Sequence, residues 1–383
     1  MKQNKPARSI ASPDDQKVTF VELFFDLVFV FSVTQVVRLF HDGFDWTAVG
    51  QAILIFWLVW WAWSQLTWTL NAADTTNPIV QVGVLAATGV ALFMAVAVPE
   101  AFGDRSLWFA ATYTVVRGIG MALYYLLAME DPALKAPLRT WIVTSSGGLI
   151  AVLIGGLVGG SAQYWLWGLA ILLDLIAASV STQSQEWNLY PAHFAERHGL
   201  FVIIVLGETL IVGASSFSDT ELTNELLVVA VLVVAITGGL WWSYFPRAMP
   251  ALEHALASSD GTDQSKIARD SYSFVHFLML AGVVAYAAAI EEGIAHANSS
   301  LEPAAAIALA LGMALFVGGM AVALWRATGI LAKGRLAVVG VTSVAIIVAM
   351  GSSVILVLGI ALGSTIAIAL LERRPGAPIT ADL

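Results

Sequence analysis

Runs of about 20 predominantly apolar residues recur along almost the whole chain. A helix rises 1.5 Å per residue, so a run of this length is what a hydrocarbon layer about 30 Å thick requires. Of the 383 residues, 58% are hydrophobic and 12% are charged, whereas roughly a quarter are charged in soluble domains. A soluble core could not bury so much apolar surface. The sequence therefore predicts an all-α, multi-pass membrane protein that has the lipid bilayer as its surroundings.

The apolar runs predict about twelve transmembrane helices. Their expected bounds are 18–40, 46–70, 79–98, 107–128, 139–158, 164–183, 196–216, 225–245, 272–294, 303–325, 336–350 and 352–371. Gly351, Ser352 and Ser353 alone separate the last two runs, which leaves a single long bent helix as an alternative there. A cytoplasmic N-terminal segment is expected at 1–17 and a cytoplasmic tail at 373–383.

The basic residues indicate the orientation of these spans. With twelve alternating spans, fifteen of the eighteen Lys and Arg residues fall on the side of the N-terminus. Arg38 and Arg105 fall on the other side, where loops carry acidic residues such as Asp219 and Glu221, and Arg117 falls within a span. Lys and Arg concentrate in cytoplasmic loops. Both termini are therefore predicted to be cytoplasmic, with the protein in an inner membrane.

Two segments follow a similar polar pattern. The first span carries Glu22 and, twelve residues later, Thr34-Gln35, while the seventh carries Glu196 and, twelve residues later, Glu208-Thr209. Paired tryptophans follow in the next span of each half. This shared order predicts two copies of a six-helix unit in the same orientation, like the parallel repeats of some transporters. The predicted copies are 18–190 and 191–372.

Ionisable side chains inside predicted spans are candidates for function, because each costs about 2.5 to 3.5 kcal/mol at the centre of a membrane helix. Glu22 and Asp26 lie one turn apart on one face of the first span. Two such carboxylates either share a proton or hold a cation, or they cap the helix N-terminus. Glu208 lies near mid-membrane in the seventh span.

Arg117 lies near mid-membrane in the fourth span, and its expected partner is Glu208 or, alternatively, Asp174 in the sixth span. His198, at the cytoplasmic end of the seventh span, is either a proton shuttle or a satisfied group at the interface. The residues predicted to bind substrate, protons or cations are Glu22, Asp26, Glu208, Arg117, His198, Glu196 and Asp174.

Small residues in two spans are predicted to allow close helix packing. They are Gly147, Gly148, Gly155 and Gly156 in the fifth span, and Gly359 and Gly363 in the twelfth.

Several chemistries lack their sequence motifs. The chain contains no Cys, no Gly-Lys-Ser/Thr phosphate loop, no Gly-rich dinucleotide fingerprint and no His-Glu-x-x-His. We therefore expect a protein that is not an enzyme, with no catalytic residues, no cofactor, no metal site and no nucleic-acid partner.

Two segments resemble the signatures of a known family. Glu22-Leu-Phe-Phe-Asp26 continuing to Val30, and Glu196-Arg-His-Gly-Leu-Phe201 continuing to Gly207-Glu208, are similar to the opening and mid-chain signatures of the bacterial low temperature requirement A (LtrA) family. The resemblance implies a multi-pass bacterial membrane protein, named from a cold-growth phenotype. A second likeness is to a potassium-channel family of six-helix units that carries Phe-Ser-Asp in its first helix. Phe24-Phe25-Asp26 has Phe in place of that Ser.

The leading hypothesis from the sequence is a secondary transporter of a small solute or ion that is coupled to protons. The alternatives are a cation channel built from two six-helix units and an intramembrane protein without transport activity. A homodimer is compatible with the sequence, which does not determine the oligomeric state.

Overall fold

The computed structural model describes residues 9–13, 16–40, 43–184, 187, 189–218 and 222–372. In this part of the chain all the regular elements are helical, and the strand-like pairings are two isolated bridges, Ala11 with Ala73 and Ser300 with Ser353. The prediction of an all-α chain is confirmed. The tail at 373–383, the loop residues Asp219 and Glu221, and the first eight residues of the N-terminal segment lie outside the described residues.

Seven helices make up the first part of the chain. They are α1 (Phe20–Val37), α2 (Trp46–Ala72), α3 (Pro78–Ala97), α4 (Ser106–Glu130), α5 (Lys135–Val158), α6 (Gly160–Ser184) and α7 (Pro191–Ser218). Seven further helices follow among the described residues. They are α8 (Asn224–Ser243), α9 (Met249–Ala257), α10 (Gly261–Ile267), α11 (His276–Ala295), α12 (Pro303–Thr328), α13 (Lys333–Val348) and α14 (Val354–Glu372).

Two of the predicted spans belong to longer helices. A π-helical segment, Tyr244–Ala248, joins α8 to α9, and a second, Ala268–Val275, joins α10 to α11. The continuous helices run over Asn224–Ala257 and Gly261–Ala295. The predicted bounds 225–245 and 272–294 were therefore too short. Hydropathy falls where charged residues begin, but a helix continues because its backbone hydrogen bonds do not depend on an apolar face.

Ten of the helices in the described chain are long and apolar enough to cross a membrane. Of the twelve expected spans, α4 and α13 are not among these ten. α4 carries Arg117 near its middle. α13 has 16 residues, and at 1.5 Å per residue it reaches about 24 Å, which is short of a hydrocarbon core of about 30 Å.

The last two helices are separate. Gly351 has φ of +80°, a left-handed conformation that favours glycine, and it lies between the end of α13 and the start of α14. The Ser353 hydroxyl then accepts a hydrogen bond from the backbone N–H of Leu356 at 3.3 Å. The alternative of one long bent helix was therefore wrong.

The chain divides into two compact units. Unit 1 takes the described residues up to Ser32 together with Trp57–Arg197 and Gly261–Lys266, and unit 2 takes Val33–Phe56, His198–Asp260 and the described residues from Ile267 onward. Within unit 1, α3 packs on α4, α4 on α5, and α5 on α6. Within unit 2, α11 packs on α12, α12 on α13, α13 on α14, and α14 also on α8.

Glycines mark the closest helix contacts. In unit 1, an added Cβ at Gly155 would lie 2.7 Å from the Trp167 ring, which confirms a packing role in α5. In unit 2, a Cβ at Gly282 would lie 2.7 Å from the Gly312 carbonyl oxygen, so the backbones of α11 and α12 touch. Gly359 and Gly363 have open space around them. The packing prediction for these two was wrong.

Candidate functional site

Unit 1 contains a fully buried polar cluster formed by three helices. Each helix contributes side chains spaced four residues apart, which places them on one face. They are Glu22 and Asp26 on α1, Trp63, Thr67 and Asn71 on α2, and His193 and Arg197 on α7. We call these seven residues the Arg197 cluster.

Arg197 lies between the two carboxylates of the cluster. Its Nη2 donates to Asp26 Oδ1 at 2.7 Å, and its Nη1 lies 3.5 Å from Glu22 Oε1. The Trp63 indole N–H donates to the same Asp26 oxygen at 2.8 Å, and the guanidinium carbon lies 5.7 Å from the centroid of the Trp63 ring. The other Asp26 oxygen, Oδ2, is buried and has no hydrogen-bond partner among the described residues.

Glu22 has two roles, one for each carboxylate oxygen. Oε2 accepts hydrogen bonds from the backbone N–H and the hydroxyl of Thr19, both at 2.9 Å, at the start of α1. This contact is half of a capping box. Oε1 instead faces Arg197 and His193, with the His193 Nε2 at 3.1 Å. The capping interpretation of Glu22 is confirmed, and the other oxygen of the same carboxylate is directed at Arg197 and His193.

The protonation pattern of His193 follows from its neighbours. The Tyr190 backbone N–H donates to Asn71 Oδ1 at 2.9 Å, and the Tyr190 carbonyl accepts from Asn71 Nδ2 at 3.1 Å, so the amide orientation is fixed. The same Nδ2 lies 3.1 Å from His193 Nδ1. Since the amide nitrogen only donates, Nδ1 accepts, and the imidazole proton is on Nε2, where it is donated to Glu22. This is the neutral form of histidine.

The cluster therefore has an uneven balance of charge. Two carboxylates, Glu22 and Asp26, face one permanent cation, Arg197, while His193 is neutral. The sum is one negative charge in a fully buried site. An uncompensated buried charge is costly, so this arrangement is suited to take up one proton or one other positive charge.

A second buried ion pair lies elsewhere in unit 1. Arg117 on α4 pairs with Asp174 on α6 at 3.4 Å, and its Nη1 donates to the Tyr113 hydroxyl at 2.5 Å. Of the two partners predicted for Arg117, the ion pair therefore uses Asp174, the alternative. The sequence alone could not rank them, since both carboxylates were predicted to lie well inside a span.

Glu208 lies in unit 2 and takes a different partner. The Thr34 hydroxyl donates to its Oε1 at 2.6 Å. A small cavity of about 10 Å³, lined by α1, α7 and α11, borders these two side chains together with Thr209. In the described chain Glu208 forms no ion pair, unlike Glu22, Asp26 and Asp174.

The remaining predicted residues are not members of the Arg197 cluster. Glu196 is exposed, and its carboxylate accepts a hydrogen bond of 3.5 Å from the Val18 backbone N–H in unit 1. His198 is buried in unit 2, with its ring edge against Tyr272 and His276. His276 itself is held at both nitrogens, by the Ser271 carbonyl and the Tyr244 hydroxyl.

Comparison with known proteins assigns the chain to a family. The family model for the bacterial low temperature requirement A protein (LtrA) matches residues 17–371, nearly the whole chain. The chain belongs to the LtrA family. It is also similar to an uncharacterized protein, RA0937, of Rhizobium meliloti (strain 1021), with 29% identity over 299 residues that cover 74% of this chain and 71% of the relative. No solved structure matches.

Of the seven cluster members in this LtrA chain, sequence reasoning predicted Glu22 and Asp26 as site residues. It missed the other five, which are Trp63, Thr67, Asn71, His193 and Arg197. A signal was available for His193, which precedes Arg197 by one helical turn and so shares its face. The series Trp63, Thr67 and Asn71 likewise recurs every four residues on α2. What the sequence could not supply is which faces of α1, α2 and α7 meet.

Proposed function

We propose that this LtrA protein is a proton-coupled secondary transporter of a small solute or ion in the bacterial inner membrane, with both termini in the cytoplasm. The observation that carries the proposal is the charge balance of the Arg197 cluster, in which two buried carboxylates share one permanent cation. Buried ionisable residues of this kind mark proton relays and ion pathways in membrane proteins.

Asp26 is the proposed proton acceptor. Its Oδ2 is buried with no hydrogen-bond partner among the described residues, so a proton can be added there without breaking an existing bond. Once Asp26 is neutral, its attraction for Arg197 weakens, and Glu22 at 3.5 Å is the remaining charged partner. Proton uptake would therefore shift Arg197 from Asp26 toward Glu22. Such an exchange provides the two states that coupling requires.

The contacts between α1 and α7 support a duplicated unit with parallel copies. Within unit 1, Glu22 meets His193 and Asp26 meets Arg197, so four residues forward on α1 correspond to four residues forward on α7. The two helices therefore run in the same direction, as six spans per repeat unit, an even number, require. In unit 2, Thr34 meets Glu208, 174 positions later. The same offset separates Glu22 from Glu196.

The proposal is tested with purified protein in liposomes, by recording solid-supported-membrane currents against a panel of ions and small solutes. A carrier gives currents that saturate with solute and follow an imposed pH gradient. Asp26→Asn should abolish this coupling, whereas Asp263→Asn, which alters an exposed carboxylate paired with Lys266, should retain it. Single-channel currents that are independent of pH would instead support the alternative, a cation channel. Saturating currents that ignore the pH gradient would contradict proton coupling.

A further inference from the structure

Glu208 is half-buried and differs in its partners from Glu22, Asp26 and Asp174, which are fully buried. Glu22 and Asp26 face Arg197, and Asp174 faces Arg117. Glu208 has the Thr34 hydroxyl as its hydrogen-bond partner and no ion-pair partner in the described chain. A hydroxyl donor does not neutralise a carboxylate. A charged Glu208 would thus leave one negative charge uncompensated within a membrane span, where charge is expensive.

The space beside Glu208 is the size of a small ion or a water molecule. Ten residues of α1, α7 and α11 line this cavity of about 10 Å³, close to the smallest volume that holds a water. Six of the ten are valines and one is Ala287; the other three are Glu208, Thr34 and Thr209. Glu208 is the one titratable group among them, so none of the three helices presents a second charge to the cavity.

From this geometry we propose that the Glu208 cavity binds a single positive charge, either a proton or an alkali cation such as Na⁺. Oxygen atoms are the ligands that hard cations prefer, and the three polar lining residues all supply oxygen. The Thr209 hydroxyl donates to the Leu206 carbonyl at 2.7 Å, which leaves its lone pairs available. The Thr34 hydroxyl now donates to Glu208 and would rotate to offer a lone pair to a bound cation.

Binding at the Glu208 cavity is measured in unit 2 and without transport, so its test is independent of the proposed function. The probes are Na⁺ and the proton, applied separately to purified protein in detergent, and the measurement is the midpoint temperature of thermal unfolding. A ligand at 100 times its Kd should raise the midpoint of a chain this long by about 3 °C. Choline at equal ionic strength controls for general salt effects.

If the ligand is Na⁺, the wild type should shift with NaCl but not with choline chloride, and Glu208→Gln should lose the shift. Thr34→Val keeps the charge but removes an oxygen, so it should need several-fold more Na⁺ for the same shift. If the ligand is the proton, Na⁺ should act like choline, and the midpoint should depend less on pH in Glu208→Gln than in the wild type.

Glu225→Gln is the matched control, since Glu225 is exposed in the first turn of α8, and it should respond as the wild type does. Should Glu208→Gln fail to fold, Thr34→Val provides the Na⁺ test and Glu208→Met, which also removes the carboxylate, the pH test. Responses to Na⁺ and to pH that are the same in the wild type and in the Glu208 and Thr34 variants would overturn the proposal.

Discussion

Arg197 on α7 donates a 2.7 Å hydrogen bond to Asp26 on α1, and neither side chain is exposed. A second carboxylate, Glu22, lies 3.5 Å from the same guanidinium. Removing one member of a buried ion pair costs more than removing both, because it leaves the other charge without compensation. The Arg197 cluster should therefore respond very differently to single and double substitutions.

Arg197→Gln should destabilise the protein by about 3 to 5 kcal/mol, since it leaves two buried carboxylates without a cation. Adding Asp26→Asn to this variant should restore part of the loss, because one of the stranded charges is then removed. Thermal unfolding in detergent measures both effects. Lys266→Gln, which breaks an exposed pair with Asp263, serves as the control and should cost about 1 kcal/mol or less. Strictly additive losses for Arg197 and Asp26 would show that the two residues are not coupled.

His193 should carry its proton on Nε2 and none on Nδ1, because Asn71 donates to Nδ1 and Glu22 accepts from Nε2. Nitrogen-15 NMR of histidine-labelled protein at pH 7.5 distinguishes the two tautomers and the charged form, and the His193→Gln spectrum assigns the signals. Asn71→Asp replaces the donor by an acceptor and should move a proton to Nδ1. A doubly protonated His193 in the wild type would make the cluster neutral and remove the reason for a proton site.

Arg117→Gln and Asp174→Asn should each lower stability by about 3 to 5 kcal/mol, with a smaller loss in the double variant than the sum. The reason is their buried contact of 3.4 Å. Combining Arg117→Gln with Glu208→Gln provides the comparison, and those two losses should add. The prediction would be contradicted if the losses for Arg117 and Asp174 added while those for Arg117 and Glu208 did not. Arg117 would then be paired with Glu208 rather than with Asp174.

The arrangement of spans predicts the membrane side of each loop. Reporter tags at the N-terminus, at the C-terminus and after Lys135 should be cytoplasmic, and a tag near Glu221 should be periplasmic. This follows from the concentration of Lys and Arg on one side of twelve spans. The result also bears on α4 and α13, which fall outside the ten clearly apolar helices. A periplasmic C-terminus would require an odd number of spans and would contradict the parallel repeat.

Hydropathy was sufficient for the fold class because each span must supply its own apolar length, and that requirement is local in sequence. The ends of Asn224–Ala257 and Gly261–Ala295 were not predictable in the same way. Both helices continue through a π-helical segment and beyond their apolar region. Neither feature changes the composition of the apolar span, so hydropathy does not detect it. The break at Gly351 needed the backbone conformation, because glycine alone also fits inside a helix.

The site was only partly accessible from sequence for a similar reason. Asp26 and Glu22 stood out because a carboxylate in an apolar run is rare and costly. Arg197 belongs to the signature segment that begins at Glu196, but its burial against Asp26 does not follow from that segment. Pairing depends on which helix faces meet, and that information is distributed over the packing of α1, α2 and α7. His193 precedes the signature segment that begins at Glu196, and its role in the cluster depends on the contact of α7 with α1.

A pH jump measures the proposed proton uptake by Asp26 within the Arg197 cluster. Protein in liposomes is adsorbed on a solid-supported membrane, and the external pH is lowered without any solute. The wild type should give a transient inward current from proton binding. Asp26→Asn should lose the part of the transient that comes from the Arg197 cluster and give a clearly smaller signal, and Asp263→Asn should keep the full transient. A transient of wild-type size in a folded, inserted Asp26→Asn protein would contradict the claim.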